Sequence, residues 1–270
     1  MPARKRPVPG GARRPARRKA PPAAATPAAG ILELTCPQCG AAQPGAKVTT
    51  VLRPADEAAL AALLKGTLNV FTCVKCGTPF RLDSPVLYRD DARRALIYWA
   101  PNETQETLDK AEKQVAELLK ALMPAAAATE ETEGTEGTEG TEGTEGTEGV
   151  APDVTCRLTL TRGQFIEKVM LWRNELDDRV VEYIKFQLFQ NPQGHLDPVR
   201  MELFYDFSQP DPANLSFLVI DRESGQPSAG THVPMELYAE AAATFLGDTA
   251  LRAELDKLFP GYHVSVSRLL

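Results

Sequence analysis

The fold of this 270-residue chain is decided by two short stretches, Cys36-Pro37-Gln38-Cys39-Gly40 and Cys73-Val74-Lys75-Cys76-Gly77. In a tight turn, two residues between the cysteines let both thiolates face one metal ion. The glycine after each pair can adopt the positive φ that such a turn often needs. Four thiolates complete a closed tetrahedral site that stabilises a fold. The sequence therefore predicts a structural metal centre with the ligands Cys36, Cys39, Cys73 and Cys76.

Zinc is the metal that this ligand set favours, at one ion per chain, and iron in a rubredoxin-like arrangement is the alternative. The same cysteines could instead form two vicinal disulfides, two redox-active pairs or unpaired core thiols. A redox motif normally opens a helix, and it would not be expected twice with a matching glycine after each pair. Metal binding is therefore the preferred interpretation.

The 33 residues between the two pairs, 40–72, exceed the roughly 15–20 residues of the simplest four-cysteine pattern. This segment must therefore contain structure of its own, and residues 31–101 are predicted to form a zinc-ribbon-like β module with a helical insertion. The expected elements are a strand over 47–52, a helix over 54–65 with Leu60, Leu63 and Leu64 inward, a strand over 68–72, and strands over 79–82 and 84–88 that continue the same sheet.

The middle of the chain is predicted to be a helix followed by a linker. Apolar residues recur at helical spacing over 102–123, Asn102 is a suitable N-cap, and Pro124 ends the pattern. Six Thr-Glu-Gly triplets then fill 132–149, where glycine disfavours helix and the glutamates repel one another. Residues 124–152 are therefore predicted to be a disordered acidic linker.

Residues 1–30 are predicted to be a disordered basic tail, because they contain almost no large apolar side chain. The net charge of the whole chain is -6, so the remainder is clearly acidic. A basic tail of this kind suits contact with nucleic acid as well as a solubilising role. The basic residues concerned are Arg4, Lys5, Arg6, Arg13, Arg14, Arg17, Arg18 and Lys19.

Residues 153–270 are predicted to form a mixed α+β module, which either stands alone or packs with 31–123 as one domain. A Pro-rich and Asp-rich turn over 209–212 separates two of its strands. The predicted strands cover 154–161, 201–207 and 215–221, and the predicted helices cover 164–172, 176–190, 235–246 and 250–258.

No pattern in the chain indicates an enzyme. The three histidines, His195, His232 and His263, are isolated, and no phosphate-binding loop, nucleophile motif or dinucleotide fingerprint is present. The Asp177-Asp178 pair is interpreted as the start of a helix, where carboxylates cap free amides. Cys156 is interpreted as a small residue on a strand. The sequence therefore predicts a non-catalytic protein.

The sequence also predicts a cytoplasmic protein without a membrane segment. No apolar run approaches the roughly 18–20 residues that cross a bilayer. The arginine-rich start lacks the apolar stretch of a secretory signal.

The two cysteine stretches, together with 85–88 and the strand over 96–99, make the chain similar to the bacterial CpXC domain proteins. That family is named for two Cys-Pro-x-Cys motifs, and Val74 stands here where the second motif has proline. The segment 176–182 is also similar to a helix of longer members. The resemblance implies zinc binding and a bacterial, intracellular origin, and it carries over no activity.

The expected function is that of a zinc-binding, non-catalytic protein-interaction or regulatory factor with a protein partner. The alternative is a nucleic-acid-binding protein that uses the basic tail and the zinc ribbon.

Overall fold

The computed structural model describes residues 34–122 and 154–270. The predicted basic tail and the Thr-Glu-Gly triplets lie outside these residues. The described chain combines helices with several small sheets, so the α+β fold class is confirmed. Across this described part, every helix is too short or too polar to span a lipid bilayer.

The cysteine region contains two short antiparallel hairpins, one before and one after a helix in the sequence. Neither hairpin extends into a larger sheet, so each has only a few backbone pairs of its own. In chain order the elements are β1 (Leu34–Thr35), β2 (Ala42–Gln43), β3 (Val51–Leu52), α1 (Glu57–Leu64), β4 (Val70–Thr72) and β5 (Pro79–Arg81), with β1 paired to β2 and β4 paired to β5.

Helix α1 is shorter than the predicted helix over 54–65. The Arg53 amide donates to the Asp56 side chain at 2.8 Å, which closes a turn before the helix begins. Leu60 and Leu63 are buried as predicted, whereas Leu64 is 42% exposed. The prediction for Leu64 was wrong because this residue lies about 100° around the helix from Leu63, away from the sheet.

A four-stranded sheet forms the centre of the molecule, with the strand order β3-β6-β7-β8. It is built from β6 (Val86–Asp90), β7 (Ala95–Trp99) and β8 (Thr155–Thr159) in addition to β3. β6 pairs with β3 and β7, so it does not continue the ribbon hairpins as predicted. The reason is that β6 is apolar on both faces and needs cover on both.

Each face of this sheet carries a hydrophobic core. On one face, β6 and β7 pack against α1 and against a helix that follows β8, α3 (Arg162–Arg173). On the other face they pack against α2 (Leu108–Leu122). The predicted cap Asn102 is replaced by Thr104, whose amide donates to Thr107 Oγ1 at 2.8 Å in a 3-10 turn over Gln105–Thr107.

Strand β8 joins the two halves of the chain. It comes after the acidic triplets, and it pairs in parallel with β7, which precedes them. Phe165 on α3 stacks on Trp99 of β7 with ring centroids 6.0 Å apart. Residues 154–173 therefore share a sheet and a core with the cysteine-containing half.

The remaining elements build a second layer, in which a three-stranded antiparallel sheet packs against helices. Strand β11 was not predicted, because its sequence contains proline and glycine and lacks alternating apolar residues. The elements are α4 (Asp178–Gln190), β9 (Met201–Tyr205), β10 (Asn214–Asp221), β11 (Pro227–Pro234), α5 (Met235–Gly247), α6 (Thr249–Leu258) and a final 3-10 turn (Val266–Arg268).

Candidate metal centre

The two cysteine pairs occupy equivalent turns at the tips of the two hairpins. In the first turn the Gly40 amide donates to the Cys36 carbonyl at 2.9 Å, and in the second the Gly77 amide donates to the Cys73 carbonyl at 2.9 Å. Both glycines have positive φ, of 69° and 70°. This backbone conformation is readily available to glycine, which explains why the same residue ends both motifs.

The fold brings the four predicted ligands into one cluster. Their sulfur atoms all lie within 4.8 Å of one another. The Sγ atoms of Cys36 and Cys76 are 3.8 Å apart, and those of Cys39 and Cys73 are 3.6 Å apart. A tetrahedral ion with bonds of about 2.3 Å to sulfur requires edges of about 3.8 Å. The cluster therefore fits a tetrahedral four-thiolate metal ion.

The location of the cysteines argues against a redox role. Cys36 and Cys39 follow β1, and Cys73 and Cys76 follow β4, so each pair lies in a hairpin turn and not at the start of a helix. All four are free thiols, and the two close contacts each join cysteines from different pairs. Cysteines of both hairpins therefore face one common point, as the ligands of a shared metal ion would.

A buried glutamine forms hydrogen bonds to the cluster and to the second cysteine turn. Gln43 on β2 donates from Nε2 to the Cys73 sulfur at 3.3 Å and accepts the Val74 amide at 3.0 Å. It thereby links the first hairpin to the second cysteine turn. Sequence reasoning missed this residue, because a two-residue strand is too short to show a pattern of burial.

The thiols differ in acidity. The pKa of Cys73 falls to about 6, because the backbone amides of Cys76 and Lys75 donate to its sulfur. The pKa of Cys39 rises to about 11, since a lowering hydrogen bond from the Ala41 amide is outweighed by burial and by the neighbouring thiols. A cation bound at the centre would replace the protons of such thiols, so metal binding should weaken as the pH falls.

The other residues singled out in the sequence lie outside this cluster. Cys156 is buried on β8, where desolvation raises the pKa of its thiol to about 12, so it is not a reactive thiolate. His195 and His232 are exposed. His263 is buried, and its Nδ1 lies 3.1 Å from the Leu158 carbonyl oxygen.

The interpretation of the Asp177-Asp178 pair was only half right. Asp177 caps α4 and accepts the amides of Arg179 and Val180. Asp178 is buried and forms a two-bond ion pair with Arg157 of β8, at 2.7 and 2.8 Å. This pairing depends on a strand more than twenty residues away in sequence, so helix-start chemistry does not explain Asp178.

Asp178 belongs to a network of six buried charged side chains on β8, α3 and α4. Three are cationic and three are anionic, so their formal charges cancel. The pairs, given as nitrogen to oxygen distances, are Arg157–Asp178 at 2.7 Å, Lys168–Asp178 at 3.3 Å, Lys168–Glu182 at 2.8 Å, Lys185–Glu182 at 3.1 Å and Lys185–Glu167 at 2.7 Å.

Comparison with known protein families gives a match. A family model described as CpXC protein matches residues 34–185, a stretch that includes both cysteine turns, all strands of the central sheet, α3 and most of α4. No curated protein and no solved structure matches the chain.

Proposed function

Because this chain belongs to the CpXC protein family, we propose that it binds one zinc ion as a structural, non-catalytic centre and acts by binding or regulating another protein. The observation that carries the metal proposal is the convergence of four sulfur atoms at tetrahedral spacing. The residues that would hold the ion are Cys36, Cys39, Cys73 and Cys76.

A structural role follows from what surrounds the cluster. The strands of the two hairpins are only two or three residues long, and hairpins of that size are not stable by themselves in water. A bound zinc ion would cross-link the two hairpins. Four protein ligands also leave a tetrahedral ion no open position for substrate, which supports a non-catalytic centre.

The exposed side chains of the second hairpin support a protein partner. Val74, between two of the cysteines, is 76% exposed, and Val70 on β4 is also exposed. Phe71 and Phe80 face each other across β4 and β5 with ring centroids 5.8 Å apart and belong to no core cluster of the described chain. Aromatic and apolar groups at the surface of a hairpin suit protein recognition.

Elemental analysis of the purified full chain, with thiol titration before and after chelation, tests the metal proposal. We expect one zinc ion per chain, and four thiols that become reactive only after chelation. Changing Cys73 and Cys76 to serine should abolish metal retention, because the remaining two thiolates cannot complete the site.

Cys156→Ala is the matched control, since this cysteine is buried outside the cluster and its loss should leave the metal content unchanged. Iron in place of zinc would revise the identity of the metal. A full chain without metal, or a double serine variant that keeps it, would overturn the proposal.

A further inference from the structure

A cleft of about 470 Å³ lies apart from the cysteine cluster. It lies where the β6–β7 turn, the start of β8, the connection between α3 and α4, and α6 meet. Its volume falls within the range of small-molecule sites. None of the four clustered cysteines lines it, so any ligand here would be independent of the metal centre.

Two arginines of the cleft are fixed by carboxylates. Arg157 makes two bonds to Asp178 and a third to a backbone carbonyl, and Arg179 makes two bonds to Asp177 and one to Asp256. A guanidinium group has five N–H groups. Each of these arginines therefore keeps two N–H groups that these contacts do not use, in an orientation that is already set.

Two further arginines are more exposed. Arg93 donates to Asp90 and Glu175, at 3.2 Å each. Glu175 has a positive φ of 59°, a conformation that non-glycine residues seldom adopt and that often marks a functional site. Arg252 on α6 is exposed and has no ion-pair partner among residues 34–122 and 154–270.

The lining of the cleft is rich in arginine. Four arginines line it against the carboxylates of Glu175, Asp177 and Asp178, which leaves one net positive charge. Asp90 and Asp256 pair with Arg93 and Arg179 without lining the cleft, so the four arginines face five carboxylates in all. An anion would therefore be held by individual guanidinium groups and not by an overall positive charge. Arginine forks of this kind suit the oxygen atoms of a carboxylate or phosphate group.

One aromatic side chain lines the cleft. Trp172, near the end of α3, lines the cleft and is only partly buried against the core beneath the central sheet. Its indole ring is the one aromatic surface in a lining that consists mainly of charged residues. A purely inorganic anion would leave this surface unused.

From these features we infer that the cleft binds a small organic anion. Its carboxylate or phosphate group is held by the arginines, chiefly Arg252 and Arg93, and its apolar part packs on Trp172. This inference goes beyond the proposed metal centre and does not depend on it.

Titration of the full chain with phenyl phosphate, followed by tryptophan fluorescence and calorimetry, tests this inference. We expect saturable binding at millimolar or lower concentration, with weaker binding of inorganic phosphate and of phenol, since each lacks one half of the recognised chemistry. Arg252→Gln should weaken phenyl phosphate binding by about fivefold or more. Trp172→Phe should remove most of the fluorescence change, because the other tryptophan, Trp99, is buried in the core.

Lys257→Gln is the matched control, because Lys257 is an exposed cation on the same helix and is not part of the cleft. Equal weakening by Lys257→Gln and Arg252→Gln would overturn the inference, as would the absence of saturable binding or equal affinity for phenol. The metal content, measured on the same samples, reports separately on the zinc proposal.

Discussion

At the scale of single residues, the cysteine cluster has contacts beyond its four sulfur atoms. Gln43 is almost fully buried, and its side chain contacts both a sulfur atom and the backbone of the second cysteine turn. Hydrogen bonds from such neighbours orient metal ligands and adjust their acidity. The contribution of Gln43 can be measured separately from that of the ligands.

Replacing Gln43 with alanine should lower the affinity of the centre for zinc by about 10- to 100-fold, because the Cys73 sulfur and the Val74 amide both lose a partner. The measurement is competition with a chelator at fixed pH. Gln38→Ala is the control, since Gln38 lies in the first cysteine turn but is exposed. Equal affinities for the two variants would show that Gln43 has no role in holding the centre.

The helix α1 shows how neighbouring leucines differ in their contribution to stability. Leu63 is completely buried in the core under the central sheet, and Leu64 is 42% exposed. Leu63→Ala should therefore lower the free energy of unfolding by about 2–5 kcal/mol, through lost burial and a cavity.

Leu64→Ala should cost well under half as much, since much of that side chain is already in water. Chemical denaturation of both variants, with unchanged metal content, measures the difference. A larger loss for Leu64→Ala would contradict the placement of the helix.

At the scale of elements, the buried ion pairs fix α4 against β8 and α3. Burial disfavours the charged form of Asp178, but Arg157 and Lys168 outweigh this and hold the pKa of the carboxyl well below its usual range. A carboxyl with a depressed folded-state pKa contributes stability above its unfolded pKa of about 3.9 and loses it as the pH falls below that value. The contribution of Asp178 to stability should therefore be lost only in acid.

Asp178→Asn should lower the free energy of unfolding at neutral pH by about 3–5 kcal/mol, because it leaves Arg157 buried without its counter-charge. The difference between the variant and the natural chain should shrink as the pH is lowered below about 4, because the Asp178 carboxyl is then protonated in the unfolded chain while it is still charged in the folded one. Denaturation curves at several pH values measure both effects.

Asp256→Asn is the matched control, since Asp256 is exposed and pairs with Arg179 at the surface. Such pairs contribute about 0–1 kcal/mol. If the two variants were equally stable, the buried network would not fix the helix.

At the scale of the whole molecule, the central sheet combines strands that precede the acidic triplets in the sequence with one that follows them. Strand β8 pairs with β7 over five residues, and α3 adds Phe165 and Val169 to the core that α1, β6 and β7 form. A cut in the chain at the triplets would leave these contacts in place. The two halves should therefore stay together after cleavage.

This expectation is tested by inserting a specific protease site after Gly140 and cutting the folded protein. We expect the two fragments to elute together in gel filtration and to separate only in denaturant. Fragments that separate under native conditions would show that the two halves fold as independent units. The uncut protein with the same insertion is the control.

Much of the local structure could be predicted from the sequence by itself. Paired cysteines with matching glycines predicted the cluster at Cys36, Cys39, Cys73 and Cys76. Such a prediction is possible because each metal-binding turn consists of a few consecutive residues with a characteristic spacing. Apolar spacing likewise predicted α2, α4 and the strand β10, with ends displaced by a few residues. These signals are local, so no knowledge of distant contacts was needed.

Only the tertiary structure decided which strands share a sheet, which charges are buried and where the arginines converge. The strand over 86–90 could have extended the sheet of the cysteine hairpins. It pairs instead with β3 and β7, because both of its faces are apolar and are buried only inside a sheet that is covered by helices on both sides. Asp178 could have been an ordinary helix-start carboxylate until Arg157 came to lie beside it. Burial and pairing of this kind depend on groups that are far apart in the chain, so patterns among neighbouring residues cannot predict them.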